Sequence, residues 1–445
     1  MAGVAWQRAL ALLLMVLMGG SLLEARVVRK RARQQRSMAA KKAIKRRVAP
    51  RRRRRRSSGL AVVPRSQVPT FSKTICKFFA EGTVHTARRG NNDEVVWGKK
   101  KTDPFNELIL SWNALRPGQG HLTIWVAVNT AASGKPQWSS WHRLALWGAK
   151  RQLTFLNKMH PYVHTRHCRV ALQHGRLAYG FRARVVFHDG AKPESLKALF
   201  GCISRLNHHK LVLPDKSIKT VKPHPRYTKI SQFMLNHPRK KDICSPVSTA
   251  MVVSYFHRLM YGTKPHRSMS QYALEFTKNV HDQGYLNIYG NWILNTAHAF
   301  HALNGDVYFS VQRLNSFYDL YHYIAQRIPV VVSVRRLPGG ATPYAGGHLL
   351  VVIGWDNEAR RVICLDPAFA PHHATLKSYP LLPFIRAWGR SNNLSYVALT
   401  KPMLQELGVP LAGINQSECV VQKEPAPFTQ IAPPPSPFDL VATGV

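Results

Sequence analysis

Cysteine is rare in this chain, and its six copies are widely spaced, at positions 76, 168, 202, 244, 364 and 419. No Cys-x-x-Cys pair occurs, which excludes the spacing of a zinc knuckle. The wide spacing also excludes a disulfide framework, although one or two disulfides remain compatible with an oxidising compartment.

Two catalytic motifs are absent. No His-Glu-x-x-His occurs among the 21 histidines, so a zinc enzyme is the weaker interpretation, and we predict neither a metal nor another cofactor. No Gly-x-x-x-x-Gly-Lys-Ser/Thr occurs either, so no ATPase partner domain is expected in the chain.

Acidic side chains are scarce. The chain has 21 Asp and Glu against 64 Lys and Arg, so its formal net charge is +43. Such a charge attracts polyanions, including nucleic acid, anionic lipid and acidic polysaccharide. Charge alone does not select among them, and it is equally expected of an organism whose proteins are generally basic.

Long apolar runs are also lacking, apart from one near the N-terminus. Residues 9–18 are apolar and follow Arg8, which is typical of an export signal too short to span a bilayer comfortably. Small residues at 19–21 and Ala25 offer cleavage points, but neither is a clean site. The sequence therefore predicts a bacterial exported protein that is periplasmic, secreted or membrane-anchored by an uncleaved signal.

The composition is sufficient for well-packed hydrophobic cores, because 45% of the residues are hydrophobic and 10% are aromatic. Residues 26–56 hold 17 Lys or Arg and no acid, which indicates a disordered arm able to bind polyanions. We predict a signal at 1–25, a basic disordered arm at 26–66, a β-rich domain at 67–204, a linker at 205–230, an α+β domain at 231–402 and a Pro-rich C-terminal tail at 403–445.

Alternating patterns predict that the β-rich domain is antiparallel. Phe181 to Phe187 places four apolar side chains on one face, and Thr123 to Val128 alternates similarly. Tryptophans recur at 112, 125, 138, 141 and 147. They favour core and cross-strand packing, while a carbohydrate or peptide groove is the alternative.

The α+β domain opens with the chain's most informative segment. Pro246 suits the first turn of a helix, and an apolar run continues from it. Cys244 would then lie at the helix N-terminus, where unpaired N–H groups and the helix dipole favour a thiolate. Gln232, twelve residues earlier, is a candidate donor to an oxyanion.

A histidine and an acid follow on two predicted strands. His348 begins an apolar run after a glycine pair, and Asp366 ends the returning strand before a proline. Both residues are nine positions from Asn357, so symmetric pairing would place them opposite one another on one face. Cys364 would share that face and pack beneath the site. Cysteine on a helix followed by histidine and acid on strands is the order of papain-like enzymes.

These residues resemble a known family, the peptidases related to the double-glycine leader peptidases of bacteriocin exporters. The similarity is greatest to stand-alone bacterial members, and it rests on Ser231-Gln232-Phe233-Met234, Cys244-Ser245-Pro246, Gly347-His348-Leu349 and Asp366-Pro367-Ala368. The resemblance implies an α+β papain-like peptidase domain at 231–402, preceded by an antiparallel β domain. It also implies a Cys244, His348 and Asp366 triad with Gln232 in the oxyanion hole.

The sequence thus predicts a cysteine peptidase (a hydrolase) that acts on a protein or peptide substrate. Acyl transfer to an acceptor other than water would use the same triad and stays open. A catalytically idle papain-like domain that binds a polyanion or polysaccharide is the alternative function. Rapid alkylation of Cys244 near neutral pH would distinguish an active enzyme from this binding protein.

Overall fold

The computed structural model describes residues 60–79, 86–89, 92–406 and 418–420. The predicted signal at 1–25, arm residues 26–59 and tail residues 407–417 and 421–445 lie outside them. Arm residues 60–66 are described, and there β1 (Val62–Val63) pairs in parallel with β13 (Leu213–Pro214). The chain is therefore already part of the folded unit that begins at residue 60, rather than disordered up to residue 66.

Three six-stranded antiparallel sheets form most of this unit. Sheet I has the order β20 (Glu418–Val420), β2 (Ser72–Phe78), β12 (Leu196–Ser204), β5 (Glu107–Ala114), β10 (Arg169–Leu172) and β9 (Val163–Arg166). Sheet II has the order β3 (Ala87–Arg89), β4 (Asn92–Lys99), β11 (Gly180–His188), β6 (His121–Asn129), β7 (His142–Gly148) and β8 (Gln152–Thr154). Sheet III has the order β14 (Tyr308–Arg313), β19 (Leu394–Leu399), β15 (Val330–Val334), β16 (His348–Asp356), β17 (Arg361–Leu365) and β18 (Leu376–Pro380).

Sheets I and II pack face to face. Strand β11 alternates as predicted, since Phe181, Ala183, Val185 and Phe187 are buried and the residues between them are half-buried. Gly201 of β12 lies beneath the Phe181 ring, where a Cβ would come within 2.8 Å of Cζ. The absence of a side chain at this position therefore lets the two sheets approach closely.

The tryptophans divide between the core and the outer face of sheet II. Trp112 and Trp147 are fully buried, which confirms core packing for them. Trp125 and Trp141 are instead half-buried and contact the Arg184 guanidinium, at 5.1 Å and 4.7 Å from their ring centres. Outside the core, these rings are therefore used for cation–π contacts.

A buried ion pair joins sheet I to sheet III. The Glu107 carboxylate on β5 accepts hydrogen bonds from both Nε and Nη2 of Arg313 on β14 and, at 3.0 Å, from Arg169. Burial opposes the carboxylate charge, but the two arginines outweigh it and lower the pKa of Glu107. Asn113, on the same face of β5, exchanges two 2.8 Å hydrogen bonds with the backbone of Phe309.

We expect Glu107→Gln to destabilise the protein by about 3–5 kcal/mol, because it leaves a buried Arg313 without its counter-charge. The measurement is the free energy of unfolding in urea. Asp103→Asn is the control, since Asp103 is exposed and pairs with an exposed Lys73 at 3.6 Å, so its loss should cost less than about 1 kcal/mol. Equal effects of the two changes would contradict the expectation.

Helices cover sheet III and complete an α+β arrangement, in agreement with the predicted class. They are α1 (Cys244–Met260), α2 (Met269–Asn279), α3 (Trp292–Ala302), α4 (Phe317–Ala325), α5 (Leu381–Gly389) and α6 (Lys401–Glu406). Helix α1 is buried on all sides from Ser245 to Phe256, which explains its continuous apolar run. The Ser248 hydroxyl anchors it to β16 by donating to the Leu349 carbonyl at 3.0 Å.

The predicted linker 205–230 runs along sheet III. Val221 exchanges two backbone hydrogen bonds with Trp355 of β16, at 2.7 Å and 2.9 Å. Gly354 makes room for this segment, because a Cβ there would lie 2.7 Å from the Val221 carbonyl oxygen. Within the described residues, no helix has the length and apolar character needed to cross a membrane. Cys76 is disulfide-bonded, whereas four other cysteines are free.

Candidate active site

Cys244 is the first residue of α1 and is half-buried as a residue. The preceding Ile243 has no side-chain group to bond the N–H groups of the first turn, so these donors remain free for the thiol. Hydrogen bonds from the backbone N–H groups of Ser245 and Leu349 favour the thiolate. Together with the positive end of the helix dipole, they favour an ionised nucleophile.

His348 lies between the thiol and a carboxylate. Its Nε2 is 2.7 Å from Oδ1 of Asp366, and the ring is also hydrogen-bonded to Cys244, which leaves Nδ1 for the sulfur. Strand pairing with Val334 holds the backbone at the head of β16. Gly347, just before it, has a φ of 106°, a conformation that glycine adopts without strain. The predicted hydrogen-bond contact of His348 with Asp366 is confirmed.

Asp366 is fully buried and accepts four hydrogen bonds. Its Oδ1 accepts from His348 and, at 3.0 Å, from the backbone N–H of Ala368. Its Oδ2 accepts from the hydroxyls of Tyr344 at 2.9 Å and Tyr379 at 2.6 Å. Both oxygens are therefore satisfied, as a buried carboxylate requires.

The hairpin of β16 and β17 brings Asp366 to His348 through a β-bulge. The prediction that the two strands pair symmetrically about Asn357 is wrong. The observed partners are Asp356 with Arg361, Trp355 with Val362, Gly354 with Ile363 and then Val352 with Cys364. Ile353 is an extra residue on β16, and if it paired regularly with β17 instead of bulging, the register would send Asp366 to the face opposite His348. The bulge shifts the pairing by one residue and returns both side chains to one face.

The charges of this group stabilise one another. Burial disfavours the imidazolium, but Asp366 and the Cys244 thiolate outweigh it and raise the pKa of His348 to about 10. Burial also opposes the thiolate and the carboxylate. The charge of His348 nevertheless lowers the pKa of both Cys244 and Asp366. The thiolate–imidazolium pair is therefore favoured from below the ordinary thiol pKa up to about pH 10.

Gln232 begins a single turn of 3-10 helix and is only 2% exposed, so it is not a surface glutamine. Its Nε2 donates to the Lys240 carbonyl at 2.8 Å, and its backbone N–H donates to the Pro367 carbonyl at 2.9 Å. Its Oε1 has no hydrogen-bond partner in the described part of the chain. Gln232 thus ties the segment that leads to Cys244 to the loop that follows Asp366.

The geometry of the site agrees with a comparison of the sequence with known families. The matching family is described as the Peptidase_C39 like family, and its model covers residues 224–396. The match supports a C39-like peptidase domain. It includes α1, the hairpin of β16 and β17, and Gln232. No curated protein matches the chain, and no solved structure does.

Sequence reasoning assigned no role at the site to two tyrosines of the C39-like domain, Tyr344 and Tyr379. The Tyr344 ring is stacked on the His348 ring, with centroids 4.0 Å apart and an interplanar angle of 18°. Tyr379 lies on β18 opposite Val362. Burial and the nearby Asp366 charge raise the pKa of both phenols, which stay neutral donors. The only available signal for Tyr344 was an aromatic residue in the glycine-rich segment before His348.

The other groups of the C39-like domain offer no rival site. Cys364 is fully buried, and burial raises its thiol pKa well above the ordinary value, which agrees with packing beneath the site. Within the described residues, no group of three or more His, Cys, Asp or Glu side chains is arranged to hold a metal ion.

Proposed function

We propose that this protein is a cysteine peptidase that hydrolyses peptide or isopeptide bonds through a thioester. The observation that carries the proposal is the hydrogen-bonded series Cys244, His348 and Asp366, with 2.7 Å between imidazole and carboxylate. The family match over 224–396 supports the same class of reaction. The helix N-terminus at Cys244 supplies the thiolate that this chemistry needs.

The reaction begins from the ion pair. The Cys244 thiolate attacks the carbonyl carbon and forms a tetrahedral oxyanion. His348 then gives its Nδ1 proton to the amine, the C–N bond breaks and the thioester remains. A water molecule attacks the thioester while His348 takes its proton, and the thiolate leaves as the acid forms. Asp366 holds the imidazole in the required orientation throughout.

The proposal is tested by the pH dependence of peptide cleavage. We expect kcat/KM to rise with ionisation of Cys244 at a pH below 9. It should fall near pH 10, where His348 loses the proton that the leaving amine requires. The measurement is the initial rate of cleavage of peptides selected from a digested proteome. Absence of cleavage at every pH would overturn the proposal, and consumption of an added amine in place of water would reveal acyl transfer.

Gln232 and the backbone N–H of Cys244 are the proposed oxyanion donors. We expect Gln232→Ala to lower kcat by roughly 10²–10³-fold with little change in KM, because the charge it would stabilise exists only in the transition state. Steady-state kinetics on one peptide measure this split. Gln271→Ala, at an exposed position of α2, is the control. A change confined to KM would contradict the oxyanion role.

Export of the protein and polyanion binding by residues 26–56 are proposals from the sequence, because these segments lie outside the described residues. The N-terminal sequence of the protein recovered from the cell exterior would test export. Binding to an acidic polymer that does not weaken with salt would contradict an electrostatic role for the arm.

A further inference from the structure

The segment 335–347, between β15 and β16, places one tyrosine against the catalytic histidine. Tyr344 is 6% exposed, whereas its neighbours Pro343 and Ala345 are exposed. We propose that Tyr344 is a positioning residue for the ion pair of Cys244 and His348, and that Gly340, which has no side chain, leaves the space that its ring occupies. This inference rests on the proposed peptidase function and adds a component that the triad lacks.

The Tyr344 ring controls the plane of the imidazole. Hydrogen bonds to Asp366 and Cys244 hold the two nitrogens of His348, but they leave the faces of the ring unsupported. Tyr344 covers one face in a nearly parallel stack at 4.0 Å. The electron-rich face of the phenol also attracts the imidazolium, so the stack favours the charged form.

The Tyr344 hydroxyl supports the same state from a second direction. It donates to Oδ2 of Asp366 at 2.9 Å and accepts from the backbone N–H of Ala341 at 3.0 Å. This donor favours the ionised carboxylate that raises the pKa of His348. Tyr379 donates to the same oxygen at 2.6 Å. Removal of the Tyr379 hydroxyl therefore shows the effect of losing one hydrogen bond to Asp366, without any change in the ring that stacks on His348.

The backbone of the segment is shaped around this side chain. Tyr344 has a φ of 48°, a left-handed conformation that is unfavourable for a bulky residue, and its carbonyl accepts from the Gly347 N–H at 3.1 Å. At Gly340, a Cβ would lie 2.4 Å from Cε2 of Tyr344. At Gly346, a Cβ would meet nothing within 4 Å. Neither of these two glycines has a positive φ, so alanine is acceptable to the backbone at both positions.

The experiment compares five variants of the full chain: Tyr344→Leu, Tyr344→Phe, Tyr379→Phe, Gly340→Ala and Gly346→Ala. Each is measured for kcat and KM on one peptide, for the pH dependence of kcat/KM and for thermal unfolding. The pH dependence of Cys244 alkylation by iodoacetamide is measured by mass spectrometry. Alkylation reports the thiolate directly and requires no peptide turnover.

We expect Tyr344→Leu to lower kcat by roughly 10–100-fold with KM nearly unchanged, because the reacting groups lose their alignment. The fall of kcat/KM at alkaline pH should begin below pH 10 in this variant. The rise in the rate of Cys244 alkylation should move to higher pH. Gly340→Ala should shift all three quantities in the same directions, while Gly346→Ala should match the wild type. Tyr344→Phe should recover most of the lost kcat, and its alkaline limb should fall as that of Tyr379→Phe does.

Unchanged kcat and unchanged pH limbs in Gly340→Ala and Tyr344→Leu would overturn the inference. If Tyr344→Leu fails to fold, Gly340→Ala and Tyr344→Phe decide the matter by the same measurements. The wild-type alkylation curve separates this inference from the proposed function. If the wild-type Cys244 thiol ionises only near pH 9, the proposed function itself is contradicted. If wild-type alkylation instead rises at a low pH and the variants do not change that pH, only the role of Tyr344 is contradicted.

Discussion

Replacing Cys244 by alanine will reduce peptide hydrolysis to below about one per cent of the wild-type rate, because no other group can form the thioester. Cys244→Ser should be almost as inactive, since a serine hydroxyl does not reach the low pKa that this thiol reaches at the helix N-terminus. The fold should be retained in both variants, because the side chains are small. Initial rates and the free energy of unfolding measure the two effects.

The matched control is Cys364→Ala, which removes a buried thiol close to Asp366. Its loss should leave kcat nearly unchanged, because burial keeps this thiol protonated. Activity of Cys244→Ala above a few per cent would refute the nucleophile assignment. Loss of activity in the control but not in Cys244→Ala would transfer the assignment to Cys364.

Asp366→Asn should lower kcat/KM by roughly 10²–10⁴-fold, because the amide has no charge to stabilise the imidazolium and permits the wrong orientation. The pKa of His348 should fall from about 10, so the alkaline limb of the pH profile should move to lower pH. The amide N–H group would also face hydrogen-bond donors that now donate to the Asp366 carboxylate, and this contact between donors is unfavourable. The full pH profile of kcat/KM is the measurement.

Asp356→Asn, at the other end of the same hairpin, is the control for this change. Its side chain accepts from the Ala359 backbone in the turn at 2.9 Å, and an amide oxygen can accept the same bond. We expect its pH profile to match the wild type. An unmoved alkaline limb in Asp366→Asn would show that the carboxylate does not govern the charge of His348.

Local patterns in the sequence predicted the elements that carry the site. Pro246 and the apolar run after it predicted α1, because proline suits a first helical turn and buried helices are apolar throughout. Alternation predicted β6 and β11, since sheet side chains alternate with a period of two. The contact between His348 and Asp366 was also expected, although for the wrong register.

The missed features depend on contacts between distant parts of the chain. A bulge at Ile353 has no composition signal, and it lies beside the contact of Val221 with Trp355 and Gly354, which joins distant parts of the chain. The strand at residues 62–63 was not predicted, because two residues that pair in parallel with β13 are too few to form a recognisable sequence pattern. Tyr344 was missed because stacking on His348 depends on how segment 335–347 folds back.

The bulge at Ile353 limits how this hairpin can vary in length. While the bulge is kept, insertion or deletion of a single residue between His348 and Asp366 moves one of the two side chains to the other face of the sheet and separates them. A change of two residues, or a single change accompanied by loss of the bulge, preserves their parity. Natural length variants that remain active should therefore differ here in even steps or in whether they carry a bulge.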